Sequence, residues 1–162
     1  MIIVTNQKLQ YNDKIYKCSI GLNGLCYNKI EGDQKTPIGT YKIGNLFVRT
    51  DRVKKLDTKI KYTKITSDMA WSDDSNEPSY NTLIRVNYAH KEALYRRDNL
   101  YDLLLVIEYN VNPIIPNKGS AIFIHIARKN YEPTRGCIAL KLSNFLELLK
   151  VLDTNEKICI LK

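Results

Sequence analysis

The chain has 162 residues, of which 44% are hydrophobic and 26% charged. That balance suits one globular domain with a single core and excludes a disordered or low-complexity polymer. The formal net charge is +8, and no apolar stretch approaches the roughly 20 residues that carry a helix across a bilayer, so no membrane partner is expected.

The chain opens on short strands with turns: Ile2–Thr5, then residues 9–11, 15–21 and 40–43, with Asn12-Asp13 as a hairpin turn. Between them, Glu31-Gly32-Asp33-Gln34-Lys35-Thr36-Pro37-Ile38-Gly39 is a loop dense in breakers and charge. Thr36 and Pro37 read as structural there, the proline fixing a turn. Residues 54–66 alternate apolar and charged positions weakly, as an exposed edge strand does, and hold the densest lysine cluster: Lys54, Lys55, Lys59, Lys61 and Lys64. Residues 70–81, which include the single Trp, read as a polar loop, and residues 89–97 as a short helix. Residues 103–109 and 120–127 are the strongest strand signals, being rich in β-branched or bulky apolar side chains. Ser143 is the predicted N-cap of a helix ending at residue 152, with Phe145, Leu146, Leu148, Leu149 and Leu152 on its apolar face. Lys157–Leu161 closes the chain as a strand. The whole reads as one mainly β domain over residues 1–162, with one or two short helices.

The N-terminal stretch lacks a basic n-region, a long apolar core and a small-residue cleavage site. A cytoplasmic location is therefore expected, or a periplasmic or cell-wall one if a leader has been trimmed. The cysteines stand at 18, 26, 137 and 159, with no C-x-x-C pair, so neither a zinc site nor any other metal or cofactor is expected. An even count permits disulfides, but a chain with a real core in a reducing compartment does not need them. Cys18 and Cys159 lie in apolar runs and read as small buried core residues.

Chemistry concentrates in residues 122–140, IFIHIARKNYEPTRGCIAL. His125 sits in an apolar, strand-like run, and a turn-like stretch ends in Thr134-Arg135-Gly136-Cys137 before Ile138-Ala139-Leu140. A strand, a short return loop and a second strand would bring His125 and Cys137 side by side. A thiol attacks as thiolate, and an imidazole in reach is the usual means of making one. Gly136 permits a backbone conformation or close approach that a Cβ would block. The bland reading is a small buried Cys137 and a packed core histidine. The other histidine, His90, has no motif partner and reads as a surface residue.

These residues resemble the YkuD-type L,D-transpeptidase catalytic domain. Such domains carry a strand histidine followed by a Ser/Thr-x-Gly-Cys-Ile/Val step, matched by His125 and Thr134-Arg135-Gly136-Cys137-Ile138. Their upstream Asp-x-x-Thr-Pro-x-Gly-x-Tyr loop is matched by Asp33 through Tyr41. The middle is similar to a compact bacterial branch, often without an export signal, through Tyr80-Asn81, residues 96–102 and residues 119–125. The resemblance implies a YkuD-like β-sandwich or barrel and a cysteine acyl-enzyme acting on peptidoglycan or muropeptide stem peptides. Cys137 would be the nucleophile and His125 the base, its ring fixed by a backbone carbonyl. The Gly136 and Cys137 N–H groups would form the oxyanion hole.

Two positions depart from the family. Arg135 stands where many members have His, and Ala139 where many have Arg. The second removes a charge that could hold a substrate carboxylate, which Arg135 or Arg128 would replace. Thr134, Tyr80, Asn81 and Arg96 are further candidates for substrate contact, with ordinary loop hydrogen bonding and an ion pair as the alternative. Water as acceptor gives L,D-carboxypeptidase action, the outcome expected of a cytosolic enzyme in muropeptide recycling. An amine gives crosslinking or D-amino-acid exchange. The opposing class is a non-enzymatic basic module in which the +8 charge and eleven tyrosines bind nucleic acid or wall polymer. That class gives no reason for a strand histidine paired with Gly-Cys, so no nucleic-acid partner is expected. The sequence does not address oligomeric state.

Overall fold

Alternation of apolar and polar side chains builds one half of the molecule. In β1 (Ile2–Thr5), β2 (Lys8–Tyr11) and β3 (Lys14–Ser19), the inward residues Ile2, Val4, Leu9, Tyr11, Tyr16 and Cys18 are buried. The computed structural model describes residues 1–86 and 92–162. Two short pairing segments, β4 (Leu25–Cys26) and β5 (Thr36–Pro37), lie parallel at the foot of the charged loop. The longest strand is β6 (Gly39–Val48). A small sheet follows, in the order β10 (Glu92–Ala93), β8 (Met69–Trp71), β9 (Leu83–Arg85).

The main sheet has nine strands in the order β11-β12-β13-β3-β2-β1-β14-β6-β7. Its remaining members are β7 (Tyr62–Lys64), β11 (Leu103–Ile107), β12 (Phe123–Ile126), β13 (Ile138–Leu140) and β14 (Lys157–Leu161). It closes on itself through β6, whose first half pairs with β14 (Gly39↔Ile160) and whose second half pairs with β11 (Val48↔Leu103). Closure into a barrel leaves those strands no open edge. The helix α1 (Leu142–Val151) adds Phe145, Leu148 and Leu149 to the barrel core, as its apolar face predicts.

β11 and β12 are buried on both faces, which explains their unbroken apolar runs. Leu103, Leu105, Ile107, Ile124 and Ile126 face the barrel core. Leu104, Val106 and Phe123 face a second cluster with Met69, Trp71, Leu94 and Tyr101. The candidate site residue Cys137 lies on this second face.

Several expectations change. The helix begins at Leu142 with Lys141 at its N-cap and no side-chain cap, so Ser143 falls in the first turn. The chain passes almost directly from β13 into α1, and burial of the apolar face fixes the helix without a cap. Of residues 54–66 only Tyr62–Lys64 forms a strand, exposed throughout and parallel to β6. Residues 70–81 are not a free polar loop, because Met69–Trp71 is a buried strand and Tyr80 and Asn81 are buried. The predicted helix at 89–97 begins outside the described residues, as does His90. Its remainder starts as a strand, Glu92–Ala93, paired antiparallel with β8. These short segments pack on the outside of the barrel, where tertiary contact overrides weak local preference. All four cysteines are free. Cys18 is buried as expected, but Cys159 is only partly so, because Ile158 and Ile160 take the inward positions of β14. The Thr40 hydroxyl donates to its sulfur at 3.3 Å. Among the described residues no helix is long and apolar enough to cross a membrane.

Candidate active site

β12 and β13 are neighbours and run parallel, in register Ile124↔Ile138, His125↔Ala139 and Ile126↔Leu140. The connection therefore carries the chain back the full length of the strand, through a short 3₁₀ turn at Lys129–Tyr131. Alternation sends Ile124 and Ile138 into the barrel and leaves His125, Ala139 and Cys137 on the other face. His125 and Cys137 line the same cavity, of about 520 Å³. Ala139, where the family's arginine would stand, sits beside His125.

The imidazole is buried, with Nδ1 2.9 Å from the Ile126 carbonyl oxygen. That contact fixes Nδ1 as the protonated nitrogen and leaves the Nε2 lone pair able to accept a proton. The ring also meets Tyr101 edge-on at 5.4 Å between centroids. Burial, helped by the Arg96 and Arg128 charges, lowers the His125 pKa to about 4, with the Ile126 contact opposing. The Cys137 thiol donates to the Ala121 carbonyl at 3.2 Å. Burial pushes it up to about 12; the Phe123 amide and the Lys29 charge pull the other way. The resting pair is thus a neutral thiol and a neutral imidazole.

The loop before Cys137 is built to one shape. Gly136 has φ +134°, and a Cβ there would lie 2.8 Å from the Lys35 carbonyl oxygen, so glycine is required twice over. The Thr36 hydroxyl, buried, donates to the Gly136 carbonyl at 2.8 Å and accepts from the Gly21 N–H at 2.9 Å. The two motifs, distant in the chain, are one structure. Thr134 lines the cavity, but its hydroxyl donates to the Cys137 carbonyl at 2.6 Å and accepts from the Gly136 N–H at 3.1 Å. It shapes the loop, and it also engages one of the two expected oxyanion donors.

The other candidates divide. Arg128 and Arg135 are exposed, line the cavity and have no ion-pair partner among the described residues. Arg96 lines it too, but pairs with Asp98 at 2.7 Å and Glu92 at 3.3 Å while lying over the Tyr101 ring. Tyr80 and Asn81 are not in the cavity wall and act from behind it. The Asn81 amide oxygen accepts from the Trp71 Nε1–H and the Ala121 N–H, both at 3.0 Å. Its Nδ2 donates to the Tyr109 and Asn110 carbonyls. Asn81 therefore holds Ala121, whose carbonyl holds Cys137. Tyr80 donates to Glu31 at 2.5 Å, and Ser120 donates to the same oxygen at 2.7 Å.

Residues near the site that escaped the sequence reading include Lys29, Ala121, Tyr101 and Glu92, which accepts from the Tyr101 hydroxyl at 2.9 Å. Tyr101 lies inside the 96–102 match and was findable there. Among the described residues no group of His, Cys, Asp or Glu is arranged to hold a metal ion.

Barrel, loop and cysteine–histidine face together define a YkuD-type domain. The family model for the L,D-transpeptidase catalytic domain, YkuD, matches residues 1–160, and the chain belongs to that family. Among solved structures it is similar to the helical cell shape determining protein Pgp2 from Campylobacter jejuni. The identity is 20% and the TM-score 0.48, covering 98% of this chain and 46% of that one. It is also similar to Bdellovibrio bacteriovorus Bd1075, at 15% identity and TM-score 0.49, covering 99% of this chain and 47% of that one. Mycobacterium tuberculosis L,D-transpeptidase 1 aligns at 12% identity and TM-score 0.43, covering 100% of this chain and 61% of that one. The chain thus spans less than half the length of the first two. No curated protein matches it by sequence.

Proposed function

We propose that the protein is a cysteine acyl-enzyme that acts on the tetrapeptide stems of peptidoglycan or muropeptides. The observation that carries this reading is the shared cavity of Cys137 and His125, with Nδ1 of the histidine held by the Ile126 carbonyl. In the acylation step Sγ attacks the carbonyl carbon of the third, diamino-acid residue as its proton passes to His125 Nε2. The Gly136 N–H already donates to Thr134 Oγ1, so the Cys137 N–H is the backbone donor for the oxyanion. Collapse of the tetrahedral species breaks the C–N bond to the terminal D-alanine, whose amine takes the proton from His125. The thioester then meets water, giving a tripeptide, or an amine, giving a crosslink or exchange product. His125 accepts the acceptor's proton and returns it to the departing sulfur.

The cavity wall supports a zwitterionic peptide ligand. It mixes Glu31, Asp73, Glu92 and Glu132 with Lys29, Arg96, Arg128 and Arg135, a lining that suits a substrate bearing both amine and carboxylates. Mass spectrometry of the protein mixed with a purified tetrapeptide muropeptide tests the reading. A thioester adduct on the Cys137 peptide is expected, followed by a tripeptide or crosslinked product. Cys137→Ala should lose both adduct and turnover while unfolding within about 1 kcal/mol of the parent, since little volume is removed. Turnover that survives this substitution sinks the assignment.

A further inference from the structure

Lys29 is a charged residue with 3% side-chain exposure, and it lines the cavity that holds Cys137 and His125. Burial of an ammonium is costly unless the charge is paired or put to use. One partner is present: Asp33 Oδ1 at 2.6 Å. Asp33 is itself fixed by the Ile30 N–H at 2.9 Å and the Lys35 N–H at 2.8 Å. An ammonium carries three donors, and among the described residues Asp33 is the only acceptor at Nζ.

One glycine makes room for this side chain, and a second lies in contact with its charge. At Gly119, φ +97°, a Cβ would lie 2.7 Å from Lys29 Cε and 2.9 Å from Cδ. At Gly136 the Cβ position lies 3.5 Å from Nζ itself. The lysine stem is threaded past Gly119, and its charge ends beside the residue preceding the nucleophile.

We propose that Lys29 is a positioning residue for the acyl chemistry, supplying the positive charge that stabilises the Cys137 thiolate. The inference rests on Cys137 being the nucleophile. A neutral thiol beside a neutral imidazole must develop negative charge on sulfur as it attacks, and a fixed, buried cation favours that charge most where water is absent. Among the described residues, the charged and titratable groups around the sulfur are Glu92 from β10, which opposes the thiolate, Tyr101 and His125, which are neutral at rest, and Lys29, which favours it. Arg96, Arg128 and Arg135 also line the cavity, Arg96 with its charge engaged by Asp98 and Glu92. Asp33 tempers Lys29 without cancelling it.

The test is the pH dependence of iodoacetamide alkylation at Cys137, read by peptide mass mapping of the full chain, which separates it from the partly exposed Cys26 and Cys159. In Lys29→Met the midpoint should move up by about one pH unit, and the rate below both midpoints should fall about tenfold. Lys29→Arg should restore most of the shift. A Lys29→Met midpoint equal to the parent's, with only the melting temperature lowered, overturns the proposal and leaves Lys29 a structural ion-pair partner. Should Lys29→Met not fold, Asp33→Asn keeps the lysine and removes its counter-charge. The midpoint should then fall, and an unchanged or raised midpoint overturns the proposal. The parent protein's tetrapeptide reaction is run in parallel. A parent that forms no Cys137 thioester fails the functional reading, whereas normal turnover with an insensitive midpoint fails Lys29 alone.

Discussion

His125 is buried as a neutral ring, and its pKa of about 4 lies below the ordinary histidine value. In the unfolded chain it protonates near pH 6.5, so between about pH 6.5 and 4 the unfolded state binds more protons. Its contribution to stability is full above pH 6.5 and is lost as pH falls through 4, amounting to about 3 kcal/mol. His125→Asn should flatten this part of the stability–pH curve, measured by urea unfolding between pH 4 and 7; an unaltered slope contradicts the neutral burial. The exposed Arg128 and Arg135 line the cavity and have no ion-pair partner among the described residues. Replacing either with Gln should raise KM for a tetrapeptide about tenfold, the scale of one partly exposed charge-assisted hydrogen bond. Alkylation of Cys137 by a neutral reagent should barely change. If KM is unmoved in both single variants and the double variant, the substrate carboxylate is held elsewhere.

The elements around the site transmit position through backbone groups. β8 contributes Trp71, whose indole N–H fixes Asn81; Asn81 fixes Ala121; and Ala121 accepts from the Cys137 thiol. Ala121 sits at φ +53°, a strained conformation for a residue with a Cβ. The Asn81 amide satisfies Trp71, Ala121, Tyr109 and Asn110 at once. Asn81→Ala leaves those buried groups without a partner and should cost about 3 kcal/mol in denaturant unfolding. It should also slow acylation, because the carbonyl that orients the sulfur is released. A variant with parental stability and parental kcat contradicts this chain of contacts.

For the whole molecule, barrel closure is the decisive event. β14 lies between β1, to which it is parallel, and β6, to which it is antiparallel, and it joins the chain's end to its start. Ile158 is fully buried in the common core. Ile158→Ala should cost about 3 kcal/mol through the cavity it leaves. The loss should appear in one cooperative transition, since the same core includes α1, β11 and β12. Two separate thermal transitions, with the site half unaffected, would contradict a single core.

The sequence by itself determined the strands whose alternation or apolar run is unambiguous, the final strand Lys157–Leu161, and the candidate pair His125 and Cys137, which line one cavity. It also carried the Asp33–Tyr41 loop, though not its purpose. Only the tertiary structure decided that Thr36 of that loop braces the Gly136 carbonyl, that Asn81 works from behind the cavity, and that Arg96 is engaged by Asp98 while Arg128 and Arg135 have no ion-pair partner among the described residues. The strand at Met69–Trp71 was equally invisible, being too short to show a period. Lys29, an ordinary lysine in the chain, became a buried charge beside Gly136, in the cavity that holds Cys137. The physical reason is the same in each case: periodicity and motif are local properties of the chain, whereas burial, hydrogen-bond partnership and electrostatic environment belong to pairs of residues that only the closed barrel brings together.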